Sequence, residues 1–278
     1  MKLGLTARPR GAGPLAFAVA AALGVATFAA GPAQAAESAA AEGTEARLEE
    51  IVVTARKREE TLQEAPVSIT AFSSDDIVEK GFQNLEDVAR TSPGVQYSQM
   101  GGQIPGRYNS AIRFRGMNVN SDSPSLQLGS LFVDGIFALG GTQSIPLDDL
   151  ERIEVIKGPQ AALYGRSTFG GAINYITKTP SMTEHSGQAS ALVASKDERE
   201  ASISFEGPLV EDLLSFRIGG RMYDRGATFT SGDGGALGEE SSRSLQGTLY
   251  ATPFSGFTAR LRAFYNVDDD GPPAGGLV

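Results

Sequence analysis

Five runs after Pro180, at 187–194, 200–207, 213–223, 244–252 and 257–267, alternate apolar with polar side chains. Ala201, Ile203 and Phe205 mark one face of the second run, and Ala259, Leu261, Ala263 and Tyr265 one face of the last. A period of two belongs to β-strands, whose successive side chains point to opposite faces. A short polar turn at 208–212 and a longer connection at 231–241 separate runs. Antiparallel strands of about 10 residues with short and long connections fit an outer-membrane barrel. A soluble β-sandwich carries the same alternation, so periodicity alone leaves both open.

Composition narrows the alternatives. Among 278 residues there is no Cys, a single His (His185) and no Trp. Disulfides, thiolate metal sites and His-rich metal sites are excluded, and no metal or cofactor is expected. The formal net charge of -9 argues against a nucleic-acid partner, which needs clustered Lys and Arg. The 34 Gly and 14 Pro favour many short elements.

Residues 1–35 read as a signal peptide. Lys2, Arg8 and Arg10 form a positive start, an apolar stretch covers 15–30, and Ala33-Gln34-Ala35 offers a small-x-small site for cleavage after Ala35. The apolar stretch is short for a membrane span and runs into Gly31-Pro32. No other segment is apolar enough for a transmembrane helix, so membrane insertion requires β-strands. Residues 36–49 have little to bury and read as a flexible tail. Residues 50–55 form a short β-prone island, and 56–60 a solvated charge run.

From residue 65 the chain becomes globular. Residues 66–72 read as a strand. Ser73 with Asp76 has the form of a helix N-cap, and Gly81 a helix stop. A second helix starts at Asn84 and ends at Ser92-Pro93-Gly94. Residues 99–110 and 118–125 read as loops. Strands are expected at 111–115, 126–133, 153–156 and 172–177, with a hairpin turn at Asp134-Gly135 and one helical turn at 160–164. This is a small α+β unit with long loops.

The run from Asp149 to Gly165, DLERIEVIKGPQAALYG, resembles the plug signature of TonB-dependent outer-membrane receptors, and Gly170 to Thr177 continues it. Leu131-Phe132-Val133-Asp134-Gly135-Ile136 resembles that family's earlier hairpin, and Ala65 to Ile69 its first plug strand. Glu50, Ile51, Val52, Val53, Thr54 and Ala55 resemble the TonB box. Lys157 stands where the family more often has Arg, Ala161-Ala162 where Gly-Thr is usual, and Phe169 where a smaller residue is usual.

The resemblance implies an α+β plug domain followed by the first antiparallel strands of a transmembrane β-barrel. The implied organisation is a signal peptide at 1–35, a disordered tail with the TonB box at 36–64, the plug at 65–180 and the barrel start at 181–278. It implies location in the outer membrane and energy-coupled uptake of a scarce ligand, most often a ferric siderophore or other iron complex. The partners are then TonB at residues 50–55, membrane lipid, and an extracellular iron chelate. The extended segment 51–54 is suited to strand addition; the alternative is that 51–53 is simply the first plug strand. Arg115 and Lys157 stand at strand ends where the family's plug cations pair with barrel acids, or they pair within the plug with Glu151 or Glu154. Arg107, Tyr108 and Gln143 lie in implied ligand-facing loops, where an Arg suits an anionic chelate.

Catalytic readings find no footing. Gly165 to Gly170 has P-loop spacing, but Gly171-Ala172 follows where Lys and Ser/Thr are needed. The acid pairs have no His or Cys partners, and Asp268 to Gly271 reads as a solvated turn. A plug-bearing barrel needs about 22 strands, so a truncated chain or gene fragment is expected. A stand-alone periplasmic plug-like binding or signalling module is the alternative, and the strand run after Pro180 counts against it.

Overall fold

The computed structural model describes residues 52–54, 60–63, 65–99, 110–117, 127–138, 145–165 and 167–272. All belong to one compact unit, Leu48–Val278. The expected signal peptide and the run 36–49 lie outside the described residues.

The first elements follow short-range signals. Val52–Val53 (β1) pairs antiparallel with Glu60–Thr61 (β2), so Glu60, read as the end of a solvated charge run, is in a strand. Ser68–Ser73 (β3) runs straight into Ser74–Glu79 (α1). Ser73 Oγ accepts from the Asp76 N–H, and the Asp76 carboxylate accepts from the Ser73 N–H, which closes a capping box. Asn84 caps Leu85–Thr91 (α2) by accepting from the N–H groups of Glu86 and Asp87.

Val95–Gln99 (β4) is a strand that the sequence reading leaves out; it pairs with Ser110–Phe114 (β5). Gly129–Val133 (β6) turns at Asp134-Gly135 into Ile136–Phe137 (β7). Leu150–Lys157 (β8), a short helix Ala161–Tyr164 (α3) and Gly171–Thr177 (β9) complete the unit. The sheet order is β3-β8-β9-β6-β5-β4, with β7 on β6. Only the β6–β9 pairing is parallel among these ladders. Leu85 and Val88 of α2 pack with Phe114, Ile153, Ile173 and Tyr175 of the sheet in one buried cluster. The Phe114 ring lies across Gly129 and Gly171, where a Cβ would approach it to 2.6 Å, so both positions need glycine.

Beyond Pro180 the chain forms Ser186–Ala194 (β10), Glu198–Val210 (β11) and Leu214–Arg225 (β12). A small hairpin, Phe229–Thr230 (β13) and Ala236–Leu237 (β14), occupies the long connection. Glu240–Phe254 (β15) and Phe257–Asp268 (β16) follow. The five long strands make one antiparallel sheet in the order β10-β11-β12-β15-β16. They extend beyond the expected bounds, to 15 residues in β15, because the ladders continue past the apolar cores of the runs.

This sheet resolves the choice that periodicity leaves open. Ile203 is 66% and Leu261 67% exposed, whereas Arg217 on the opposite face is 7% exposed. Ser215, Gln246 and Thr248 are buried with it. A sandwich would bury the apolar face. Apolar outside and polar inside is the arrangement of a membrane barrel wall. The plug lies against the polar face: the Ser215 hydroxyl donates to the Pro180 carbonyl, and Asp149 reaches Arg217.

Candidate functional site

Two places on the plug gather charge: the seat of the N-terminal strand and the contact with the wall. At the first, β8 presents Glu154, which is completely buried. Its Oε1 accepts from the Thr54 N–H at 2.7 Å, the Thr54 hydroxyl at 3.1 Å and Arg152 Nε at 2.9 Å. Arg152 also pairs with Glu151 at 2.5 Å. One residue before Thr54, Val53 is buried. Thr54 is therefore tied to the plug, beside buried Val53, whereas Val52 is exposed; Glu50, Ile51 and Ala55 lie outside the described residues. Beside this seat is a polar cavity of about 570 Å³ lined by Thr54, Asp134, Arg152, Asn174, Thr179 and Arg260.

At the wall, the Asp149 carboxylate accepts from Arg217 Nε at 2.5 Å, and Arg262 lies 3.8 Å away. Arg217 is shared with Glu206 at 2.7 Å and Ser204 at 3.2 Å. Burial pushes the Asp149 carboxyl above its ordinary range, against the pull of Arg217 and Arg262. Asp134, with φ +49 in the β6–β7 turn, accepts from the N–H and hydroxyl of Thr177 and pairs with Arg260 at 3.6 Å. Arg260 also donates to Thr179. Plug acids thus meet wall arginines. The pairing expected from the resemblance runs the other way, from plug cations to barrel acids. The signal was available: Arg217, Arg221 and Arg225 fall on one face of β12, opposite Phe216, Ile218 and Met222.

Arg115 and Lys157, expected to meet barrel acids, lie near enough for one charge to act on the other. Burial lowers the Lys157 pKa first, and the neighbouring Arg115 charge lowers it further. Arg115 takes φ +51 and donates its N–H to the Gly94 carbonyl at 2.7 Å. Neither has an ion-pair partner among the described residues, where Glu151 and Glu154 pair with Arg152. Arg107, Tyr108 and Gln143 lie outside the described residues.

Residues 61–172 match the model of the TonB-dependent receptor plug domain. The chain is similar to the vitamin B12 transporter BtuB of Vibrio vulnificus, with 37% identity over 161 residues, covering 55% of this chain and 24% of the relative. It is similar to the iron-regulated outer membrane virulence protein of Vibrio cholerae, with 32% identity over 200 residues, covering 64% and 28%. The crystal structure of the ferric yersiniabactin uptake receptor FyuA from Yersinia pestis matches with a TM-score of 0.61 and 25% identity, over 67% of this chain and 29% of that one. The pyoverdine outer membrane receptor FpvA of Pseudomonas aeruginosa matches in fold, with a TM-score of 0.64 and 23% identity, over 79% and 30%. The chain spans about a quarter of the length of the curated relatives it matches.

Proposed function

Since residues 61–172 match the TonB-dependent receptor plug domain, we propose that this chain is an outer-membrane receptor of that kind and serves the energy-coupled uptake of a scarce ligand, an iron chelate first. The observation that carries this reading is the plug seated on the polar face of a wall whose other face is apolar. The ligand class draws on relatives named as an iron-regulated protein and a yersiniabactin receptor. A relative named as a vitamin B12 transporter supports cobalamin as the second class.

In this proposal, residues 51–54 add as a strand to the periplasmic partner TonB, because backbone pairing needs an extended, β-prone segment and tolerates varied side chains. Arg107, Tyr108 and Gln143 face the ligand. Arg115 and Lys157 are two neighbouring cations that a pair of barrel carboxylates would neutralise. Residues 1–35 direct export and are removed after Ala35. The mature chain is a component of the outer membrane, with its apolar sheet face in lipid.

Growth of a strain lacking the gene on single iron sources, and separately on cobalamin as sole source of that vitamin, tests the ligand class. The proposal expects a defect on at least one ferric chelate, restored by the gene. A defect on cobalamin alone would move the ligand to the second class, and no defect on any ferric chelate would remove the iron reading.

A further inference from the structure

Arg217, Arg221 and Arg225 stand on the plug-facing side of β12, and the wall supplies each with a carboxylate of its own. Arg221 donates through Nε and Nη2 to the two oxygens of Glu200, at 2.7 and 2.9 Å. Arg225 pairs with Glu240 of β15, its direct neighbour across the ladder. Arg217 pairs with Glu206 of β11, also its direct neighbour, at 2.7 Å. Among the described residues, only Arg217 of this row also takes a plug acid. Its guanidinium is divided by nitrogen: Nε donates to Asp149 of the plug, Nη1 to Glu206 and Nη2 to Ser204 of the wall. Glu206 is itself held from the far side, because the Ser186 hydroxyl of β10 donates to its other oxygen at 3.1 Å. Strands β10, β11 and β12 are thus joined through Arg217 without any help from the plug.

The cost of breaking a buried ion pair lies largely in the charge left uncompensated. When Asp149 leaves, Arg217 keeps two of its three acceptors. The two carboxylates also share one guanidinium, so each weakens the other's hold on it by like-charge repulsion. We infer that Glu206 is a resident counter-ion that competes with Asp149 for Arg217 and so makes the plug releasable from β12. Glu206 is a positioning residue in this scheme: it acts on the plug only through Arg217.

The chain has no cysteine, so a single introduced thiol reports one place. Thr248→Cys reads the seam, since Thr248 lies opposite Arg217 on β15 and is 4% exposed. Val88→Cys, in the buried cluster of the plug, reads unfolding of the plug itself. The full chain, purified in detergent, is labelled with a water-soluble maleimide. Labelling of a buried thiol follows the fraction of molecules that are open at that place. Glu206→Gln should slow labelling at 248 about fivefold, the scale of coupling within one ion-pair network, and leave 88 unchanged. Asp149→Asn should speed labelling at 248 about tenfold or more, as one hydrogen bond to a charged group is lost. With Asn at 149, Glu206→Gln should no longer slow it. Glu206→Asp keeps the charge but draws it back by one methylene, so a smaller fall at 248 keeps the test decisive if Glu206→Gln does not fold. Labelling at 248 that is unchanged or faster in both Glu206 variants overturns the competition. A fall of equal size with Asp or Asn at 149 also overturns it, because Glu206 would then act on the wall and not on the plug bond.

Discussion

Asp149 sits 2.5 Å from Arg217 on β12 and 3.8 Å from Arg262 on β16, so one plug carboxylate touches two strands of the wall. Asp149→Asn should cost about 2 kcal/mol, the scale of a hydrogen bond to a charged group, because Arg217 keeps Glu206 and Ser204 as partners. Asp134→Asn should cost less at the wall, because Arg260 is 3.6 Å away and both groups are partly exposed. Urea denaturation of the detergent-solubilised protein, followed by hydrogen exchange along β8, checks the order. At the α1 cap, Ser73→Ala should cost about 1 kcal/mol. The Asp76 carboxyl is held below its ordinary value, first by the hydrogen bond to Lys80 and then by those to Ser73. A depressed carboxylate contributes stability that is present above its unfolded value and lost as pH falls through its folded value. The Ser73 and Asp76 cap should therefore weaken only at pH below the ordinary aspartate range, which an acid titration of α1 hydrogen exchange reads directly. The cap is legible in the sequence because its partners are three residues apart. The Asp149–Arg217 pair spans 68 residues and leaves no local trace.

Among the elements, the five long strands are legible because one face of each must be apolar. The β4 strand was not, because Val95 to Gln99 follows Pro93-Gly94 and only Val95 and Tyr97 interrupt polar residues. It lies at the edge of the sheet, where a strand needs little apolar surface. The seating of β1 was left open by its sequence: an extended Val-Val segment suits a plug strand and a free partner strand alike. Two predictions belong at this scale. Gly129→Ala would set a Cβ 2.6 Å from the Phe114 ring and 2.8 Å from the Ile112 carbonyl, and should cost about 2 kcal/mol of plug stability by overpacking. A denaturation midpoint unchanged from the parent would count against the close contact. Ile218→Arg places a charge on the apolar face of β12 and should cost about 2–4 kcal/mol if that face meets the bilayer core. Folding into lipid vesicles should suffer, whereas a detergent-solubilised plug should not.

On the scale of the whole molecule, the order of elements is readable, and the arginine face of β12 too, but not which plug acid each arginine meets. The plug landmarks occur in family order, and the strands follow them, so an α+β plug ahead of barrel strands could be expected from the sequence. The chain is acidic overall, yet arginines Arg217, Arg260 and Arg262 line the wall where it meets plug acids. Such a contact depends on which strand faces which, and that is set by tertiary packing. Energy enters the proposed cycle beside this contact, through residues 51–54, whose Thr54 lines the same cavity as Asp134 and Arg260, and Val52 and Val53 must then offer a backbone edge to a partner. Proline at 52 removes one backbone donor from that edge. Binding and uptake of a radiolabelled ligand by cells carrying Val52→Pro separate the two roles. The account predicts binding at the parent level with uptake reduced to background. Uptake at the parent rate would contradict it.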